Sequence, residues 1–309
     1  MKKNNIDIST KLGTLNLDNP TILASGILGL DTPTLKKVAK GGAGAVTLKS
    51  LTSEPRKGHN NPILVEIEGG FLNAVGYANK GIDAGVEEFK KWGNNNIPLI
   101  GSIVGGSAEE FGSLAEKIQE APIKALEIVL SCPHTPGYGL MAGQGTPKAT
   151  AEITKAVRRK TKLPLFVKIS PSVEAVGEIA KAAEAEGADA INMGNTLGPG
   201  MKIDIERGKP ILAFKVGGVS GPAIRSIMIR SVFDLYKCVK IPIIATGGIT
   251  TGDDAIEAIM AGASAIGIGT GIYYRGIDIF KKVCEEIEEW MKAHGYKNLN
   301  DFKGVAHEE

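Results

Sequence analysis

The sequence predicts an α/β chain closed into a (β/α)8 barrel of the TIM-barrel type, with an N-terminal hairpin at one end and insertions at the C-terminal face. Three observations predict it. Eight short apolar segments alternate with amphipathic helical segments along the chain, the pattern of repeated strand–helix units. Those segments are apolar almost throughout, as parallel strands covered on both faces must be. The length of 309 residues is ordinary for one such barrel with insertions, so the expectation is a single domain over 1–309. A doubly wound open sheet is the alternative architecture.

Taken in order, residues 6–19 alternate weakly around Lys11-Leu12-Gly13-Thr14, the turn of a small hairpin expected to plug one barrel end. Barrel strands are expected at 21–25, 45–49, 98–103, 125–131, 165–170, 188–193, 242–246 and 264–269. Helical periodicity fills the intervals, for instance at 108–120, 150–160, 173–186 and 253–261. Two strand–helix intervals are overlong, 50–83 and 197–222. Connections of that length within a compact domain are usually lids or binding arms. Both follow carboxyl ends of strands, the side on which barrels carry their chemistry.

Composition narrows the classes. With 43% hydrophobic and 23% charged residues the chain can bury a large core. A formal net charge of +2 gives no general attraction to nucleic acid or an anionic membrane. Cys132, Cys238 and Cys284 are far apart and lack metal-ligand spacing, so neither a disulfide framework, a metal site nor an iron–sulfur motif is expected. The N-terminal Met1-Lys2-Lys3-Asn4-Asn5 has no apolar stretch, and no run approaches a membrane span. The expectation is a cytoplasmic protein.

The chemistry-bearing residues fall at strand ends. Glu127-Ile128-Val129-Leu130-Ser131 runs into Cys132-Pro133-His134, and proline stops the ladder so that Cys132 sits on the rim. A Gly-rich loop follows, over 137–145. A thiol that exchanges a proton near neutrality suits general acid–base work; a buried small hydrophobe is the bland alternative. Ser131 could be the proton acceptor instead, although the thiol is more acidic. His134 is open between an acid–base group and a polar loop residue, while Cys238 and Cys284 read as structural. Lys49 closes the second strand and Lys168 stands inside the fifth. A buried lysine is costly unless it meets a charge or acceptor, so both read as cations aimed at an anionic ligand, or else as snorkelling rim lysines. Gly247-Gly248 and Gly269-Thr270-Gly271 end the last two strands, where barrels commonly bind phosphate through backbone N–H groups. Asn195-Thr196 offers amide and hydroxyl groups to a carboxylate or ring amide. The stretch 70–79 is either a turn or a donor-rich wall for a planar ligand.

These residues resemble the class 1 dihydroorotate dehydrogenases, most closely the B type. The landmarks appear in order as Ala24-Ser25-Gly26, Lys49-Ser50, Gly69-Gly70-Phe71-Leu72-Asn73-Ala74-Val75-Gly76, Ser131-Cys132-Pro133, Val167-Lys168, Asn195-Thr196-Leu197-Gly198, Gly217-Gly218-Val219-Ser220-Gly221, Gly247-Gly248-Ile249 and Gly269-Thr270. The resemblance implies FMN at the carboxyl face, held by Ser25, Lys49, Ser50, Lys168, Gly221, Gly247, Gly248, Gly269 and Thr270. It places the substrate against Lys49, Asn73, Ala74, Val75, Gly76, Tyr77, Asn195 and Thr196. Cys132 matches the catalytic base at C5 of dihydroorotate, with hydride leaving C6 for flavin N5; Lys168 would stabilise reduced flavin and Lys49 the substrate carboxylate. It implies an iron–sulfur FAD electron-transfer subunit as partner and a homodimeric core. The chain departs from the family at Val129, where members usually carry asparagine, and at His134, where many do. Cys-Pro-His also looks like dihydropyrimidine dehydrogenases. The alternatives are therefore a dihydropyrimidine dehydrogenase-like flavin reductase or, from another class, a flavin-free phosphate-binding lyase or isomerase.

Overall fold

The structure, a computed structural model, describes residues 6–131, 137 and 144–308. Strands β1 (Thr10–Leu12) and β2 (Leu15–Leu17) form the expected hairpin, turning at Gly13 with a φ of 60° that favours glycine. Their Leu12, Leu15 and Leu17 pack on Ile22, Ala45, Ile100, Ala125, Phe166, Ala190, Ile244 and Ala265. Those partners sit at or near the first residues of the barrel strands, so the hairpin closes the N-terminal end.

The chain then runs through β3 (Thr21–Leu23), β4 (Ala45–Thr47), β5 (Leu64–Ile67), β6 (Gly70–Asn73), β7 (Leu99–Ile103), β8 (Ala125–Val129), β9 (Leu165–Ile169) and β10 (Ala190–Met193). It continues through β11 (Leu197–Gly200), β12 (Ile203–Asp204), β13 (Lys209–Pro210), β14 (Gly217–Ser220), β15 (Ile243–Thr246) and β16 (Ala265–Ile268). Eight of these, β3, β4, β7, β8, β9, β10, β15 and β16, close into a parallel barrel in that order. They are the eight segments expected from the sequence, and the open-sheet alternative falls away.

The α-helices are α1 (Thr32–Lys40), α2 (Ile82–Phe89), α3 (Ala108–Ile118), α4 (Pro147–Arg158), α5 (Val176–Ala185), α6 (Arg225–Cys238), α7 (Gly252–Met260), α8 (Gly271–Arg275) and α9 (Ile279–His294). Local chemistry sets several starts. The side chains of Asp31, Ser107, Thr146 and Thr251 each accept a backbone N–H in the first turn of α1, α3, α4 and α7. Helix α3 buries Phe111, Leu114, Ala115 and Ile118 on one stripe against the barrel.

The two overlong intervals do not lie apart. They join in one antiparallel sheet of order β11-β14-β6-β5, in which Gly218, Val219 and Ser220 face Asn73, Leu72 and Phe71. Gly70 permits the approach: a Cβ there would lie 1.9 Å from the Ser220 carbonyl oxygen. Leu72, Ala74 and Leu212 form a small core of their own, backed by Val65, Ile67, Phe214 and Val219.

Candidate active site

Most barrel strands end earlier than their apolar runs. The residues just past the ladder, Ser25, Lys49, Ser50, Asn195, Thr196, Gly247, Gly248, Gly269 and Thr270, turn inward and line one cavity of about 500 Å³. From above, Asn73, Ala74, Val75, Gly76 and Tyr77 close it, with Gly221 from the end of β14. Lys168, inside β9, lines it too. The structure thus gathers around one space Lys168 and all the expected cofactor- and substrate-binding residues, while Ser131, the alternative proton acceptor, does not line it. Cys132 and His134 lie outside the described residues, as does most of the Gly-rich loop after them.

The cavity floor is polar and highly connected. Lys168, only 5% exposed, donates from Nζ to Ser25 Oγ at 3.1 Å. Ser25 in turn donates to Glu127 Oε1 at 2.8 Å. Asn192 Nδ2 donates to Glu127 Oε2 at 2.6 Å, and the Thr246 hydroxyl donates to Asn192 Oδ1 at 2.8 Å. Ser102 reaches Glu127 Oε1 at 3.4 Å and Ser50 at 2.9 Å. Lys49, 9% exposed, holds its ammonium 5.9 Å from the Tyr77 ring centroid. Two nearly buried ammonium groups at one cavity make an electropositive floor, as an anionic ligand requires.

At the wall, Asn195 donates through Nδ2 to the Ser131 carbonyl at 3.1 Å and to Ser131 Oγ at 3.0 Å. Those bonds tie the segment after β8, which leads to Cys132, to the segment after β10. Val129, also in the lining, stands opposite Lys168 in strand register.

At the other end the wall is backbone. Gly247 and Gly248 have φ of 149° and 76°, and Gly221 has 91°, conformations that suit glycine. A Cβ on Gly269 would meet nothing nearer than Ala24 Cβ at 3.8 Å and Ile27 Cγ2 at 3.9 Å, both cavity atoms. The missing side chain therefore leaves room inside the cavity. Behind this turn Arg225 pairs with Asp254, which also accepts from Thr250 N and Thr251 N. Burial pushes the Asp254 carboxyl up, but the Thr250 and Thr251 donors and Arg225 outweigh it and hold it below its ordinary value.

Several lining and supporting residues escaped sequence reasoning. His59 stacks on Phe214 at 4.0 Å and lines the cavity, as do Phe71 and Tyr273. Nothing local in the sequence marks His59, on a loop, or Tyr273, in α8, whereas Phe71 falls inside the 70–79 stretch already singled out. Glu127 and Asn192 did leave a signal: each is a polar residue inside an apolar barrel strand, as Lys168 is. Cys238 and Cys284 fall in α6 and α9 as expected. Burial pushes the Cys284 thiol up to about 12, with the Thr21 hydroxyl pulling the other way, so it is poorly suited to proton transfer.

Fold and cavity together define a TIM barrel whose C-terminal face carries a cavity with two lysines on its floor and glycine turns at one end, suited to an anionic ligand. The comparisons give the family: the sequence profile described as "Dihydroorotate dehydrogenase" matches residues 7–291, and the chain belongs to that family of FMN-dependent oxidoreductases. It is 47% identical to the "Dihydroorotate dehydrogenase B (NAD(+)), catalytic subunit" of Methanocaldococcus jannaschii, over 97% of this chain and 98% of the relative. The protein of the same name from Methanothermobacter thermautotrophicus is 41% identical over 97% and 99%. A crystal structure of DHODH in complex with ferulenol from Eimeria tenella shares the fold, with a TM-score of 0.85 at 22% identity, covering 100% of this chain and 91% of that one. Among the described residues no helix is long and apolar enough to cross a membrane.

The cavity fits FMN. It is large enough for a cofactor of that size, its glycine end leaves a Cβ-free cradle for phosphate, and its floor carries two ammonium groups for an electron-rich ring.

Proposed function

We propose that this chain is the catalytic barrel that oxidises dihydroorotate to orotate in pyrimidine biosynthesis, with FMN in the cavity described above. The observation that carries this reading is the convergence of Lys49, Lys168, Asn73, Asn195 and the Gly247-Gly248 and Gly269-Thr270 turns on one space. FMN, when bound, supplies a two-electron acceptor for the hydride that leaves C6 of the substrate.

The remaining work belongs to the protein. Gly247, Gly248, Gly269 and Thr270 hold the phosphate, with Ser25, Ser50 and Gly221 lining the rest of the cofactor site. Lys168 would offer positive charge to the reduced cofactor, worth most where it is preorganised and shielded from water. Lys49 offsets the substrate carboxylate beside the cofactor. Asn73, Ala74, Val75, Gly76, Tyr77, Asn195 and Thr196 frame the pyrimidine ring. Cys132 as thiolate takes the proton from C5 while the C6 hydride departs, leaving the C5–C6 double bond of orotate; the thiol then returns its proton to solvent. Asn195, by holding Ser131, fixes the strand end from which Cys132 follows.

The words "catalytic subunit" in the relatives' names speak for a partner chain. For this chain we infer, from its likeness to the B type, an iron–sulfur FAD subunit, together with a homodimeric core and a cytoplasmic location. The whole of 1–309 serves as one catalytic domain.

Initial rates on dihydroorotate and on dihydrouracil test the assignment against a dihydropyrimidine dehydrogenase-like reductase. Turnover on dihydroorotate at least ten times faster supports it; preference for dihydrouracil would overturn it. The Cys132→Ser variant should keep FMN and lose at least about 10²-fold in turnover near neutrality, and an unchanged rate would remove Cys132 as the base.

A further inference from the structure

We infer that Glu127 is a positioning residue for the reaction: a buried counter-carboxylate that holds Lys168 in place through Ser25 and moderates the positive charge presented to the cofactor. The inference rests on the FMN reading above and extends it to a residue that does not line the cavity.

The geometry is directional. Lys168 Nζ donates to Ser25 Oγ at 3.1 Å, and Ser25 donates onward to Glu127 Oε1 at 2.8 Å. Lys168 Nζ itself stands 4.0 Å from the same carboxylate oxygen. Among the described residues two further groups donate to Glu127: Asn192 Nδ2 at 2.6 Å to Oε2, and Ser102 Oγ at 3.4 Å to Oε1. The Asn192 amide is itself oriented, because its Oδ1 accepts from Thr246. Both carboxyl oxygens of Glu127 thus accept from neighbouring donors, and one of them stands beside the Lys168 ammonium. Glu127 is 2% exposed, Asn192 4% and Lys168 5%, so water screens the pair little.

A purely structural acid and a charge-tuning one differ in what their removal does. If Glu127 only filled space, replacing it would loosen the barrel and leave the cofactor's redox balance alone. If it moderates Lys168, its neutralisation exposes more of the lysine's charge at the cavity floor. Reduced flavin, the more negative form, would then be favoured over oxidised flavin. The effect therefore runs toward easier reduction, opposite to the general loss expected of a damaged site.

The test is the midpoint potential of FMN bound to the wild-type, Glu127→Gln, Lys168→Met and doubly substituted proteins, with FMN content and Tm measured alongside. Glu127→Gln should retain FMN and favour the reduced form about tenfold more than wild type, a rise of about 30 mV for a two-electron couple. Lys168→Met should shift it the other way, and in the double variant the Glu127 effect should shrink to a threefold change or less. Glu127→Asp, which keeps the charge but withdraws it by one methylene, should give a smaller rise in the same direction. That variant decides the matter should Glu127→Gln not fold. An unchanged potential in whichever variant folds, with Tm alone lowered, would overturn the inference. Wild-type protein that bound no FMN would instead sink the functional reading itself.

Discussion

At the scale of single residues, the site works by placing charge where water cannot screen it. Lys168 is the plainest case, an ammonium fixed on a strand by a serine and a carboxylate. Lys168→Met should retain the fold and lose about 10²–10³-fold in kcat, the usual cost of removing one preorganised stabiliser of developing charge; kcat within threefold of wild type would show that the lysine is structural. The sequence made this lysine legible because a cation in Leu165-Phe166-Val167-Lys168-Ile169 has no business in a buried strand unless something receives it. The same logic marks Glu127 and Asn192 as buried polar positions, since each interrupts an apolar strand in the same way. Cross-strand neighbours in a parallel barrel come from distant parts of the chain, so the pairing itself needed the structure.

Elements show where local pattern stops being informative. The eight barrel strands were readable from apolar runs, but the runs overshoot the ladders: 21–25 against Thr21–Leu23, 45–49 against Ala45–Thr47, and 125–131 against Ala125–Val129. The overshoot has a physical reason. Ala24, Leu48, Lys49, Leu130 and Ser131 stay buried although they leave the ladder, so burial and strand pairing part company there. The sheet itself was illegible, because β6 and β14 pair across a long separation in sequence and are rich in glycine, a poor strand former. Gly70 is its tightest point. Gly70→Ala should force β6 off β14 and raise KM for dihydroorotate by up to about 10²-fold, while far-ultraviolet dichroism of the barrel stays as in wild type. An unchanged KM would separate the sheet from substrate binding. At the opposite end, Leu12→Ala should destabilise the barrel by about 2–5 kcal/mol, the cost of a buried leucine deletion, measured by denaturant unfolding; a change under about 1 kcal/mol would mean that the hairpin is not part of the core.

Over the whole molecule, stability and site share one set of ion pairs. Asp254 clamps the turn behind Gly247-Gly248, and its carboxyl is held below the ordinary 3.8. A depressed carboxyl contributes stability that is complete above the unfolded-state value and fades as pH falls through the folded-state value. Asp254→Asn should therefore lower Tm most at neutral pH, with the gap to wild type closing below about pH 4. A gap that persists unchanged at pH 3 would contradict the assignment. The barrel, its phosphate end and its cationic floor then act as one device, in which folding positions two reactants and excludes water. The most direct measurement is anaerobic mixing of the purified, FMN-loaded chain with dihydroorotate while the visible flavin absorbance is followed. The expected result is rapid bleaching with one orotate formed per flavin reduced. Absorbance that stays unchanged with dihydroorotate, yet bleaches fully with a chemical reductant, would contradict the claim that this cavity brings substrate and flavin together for hydride transfer.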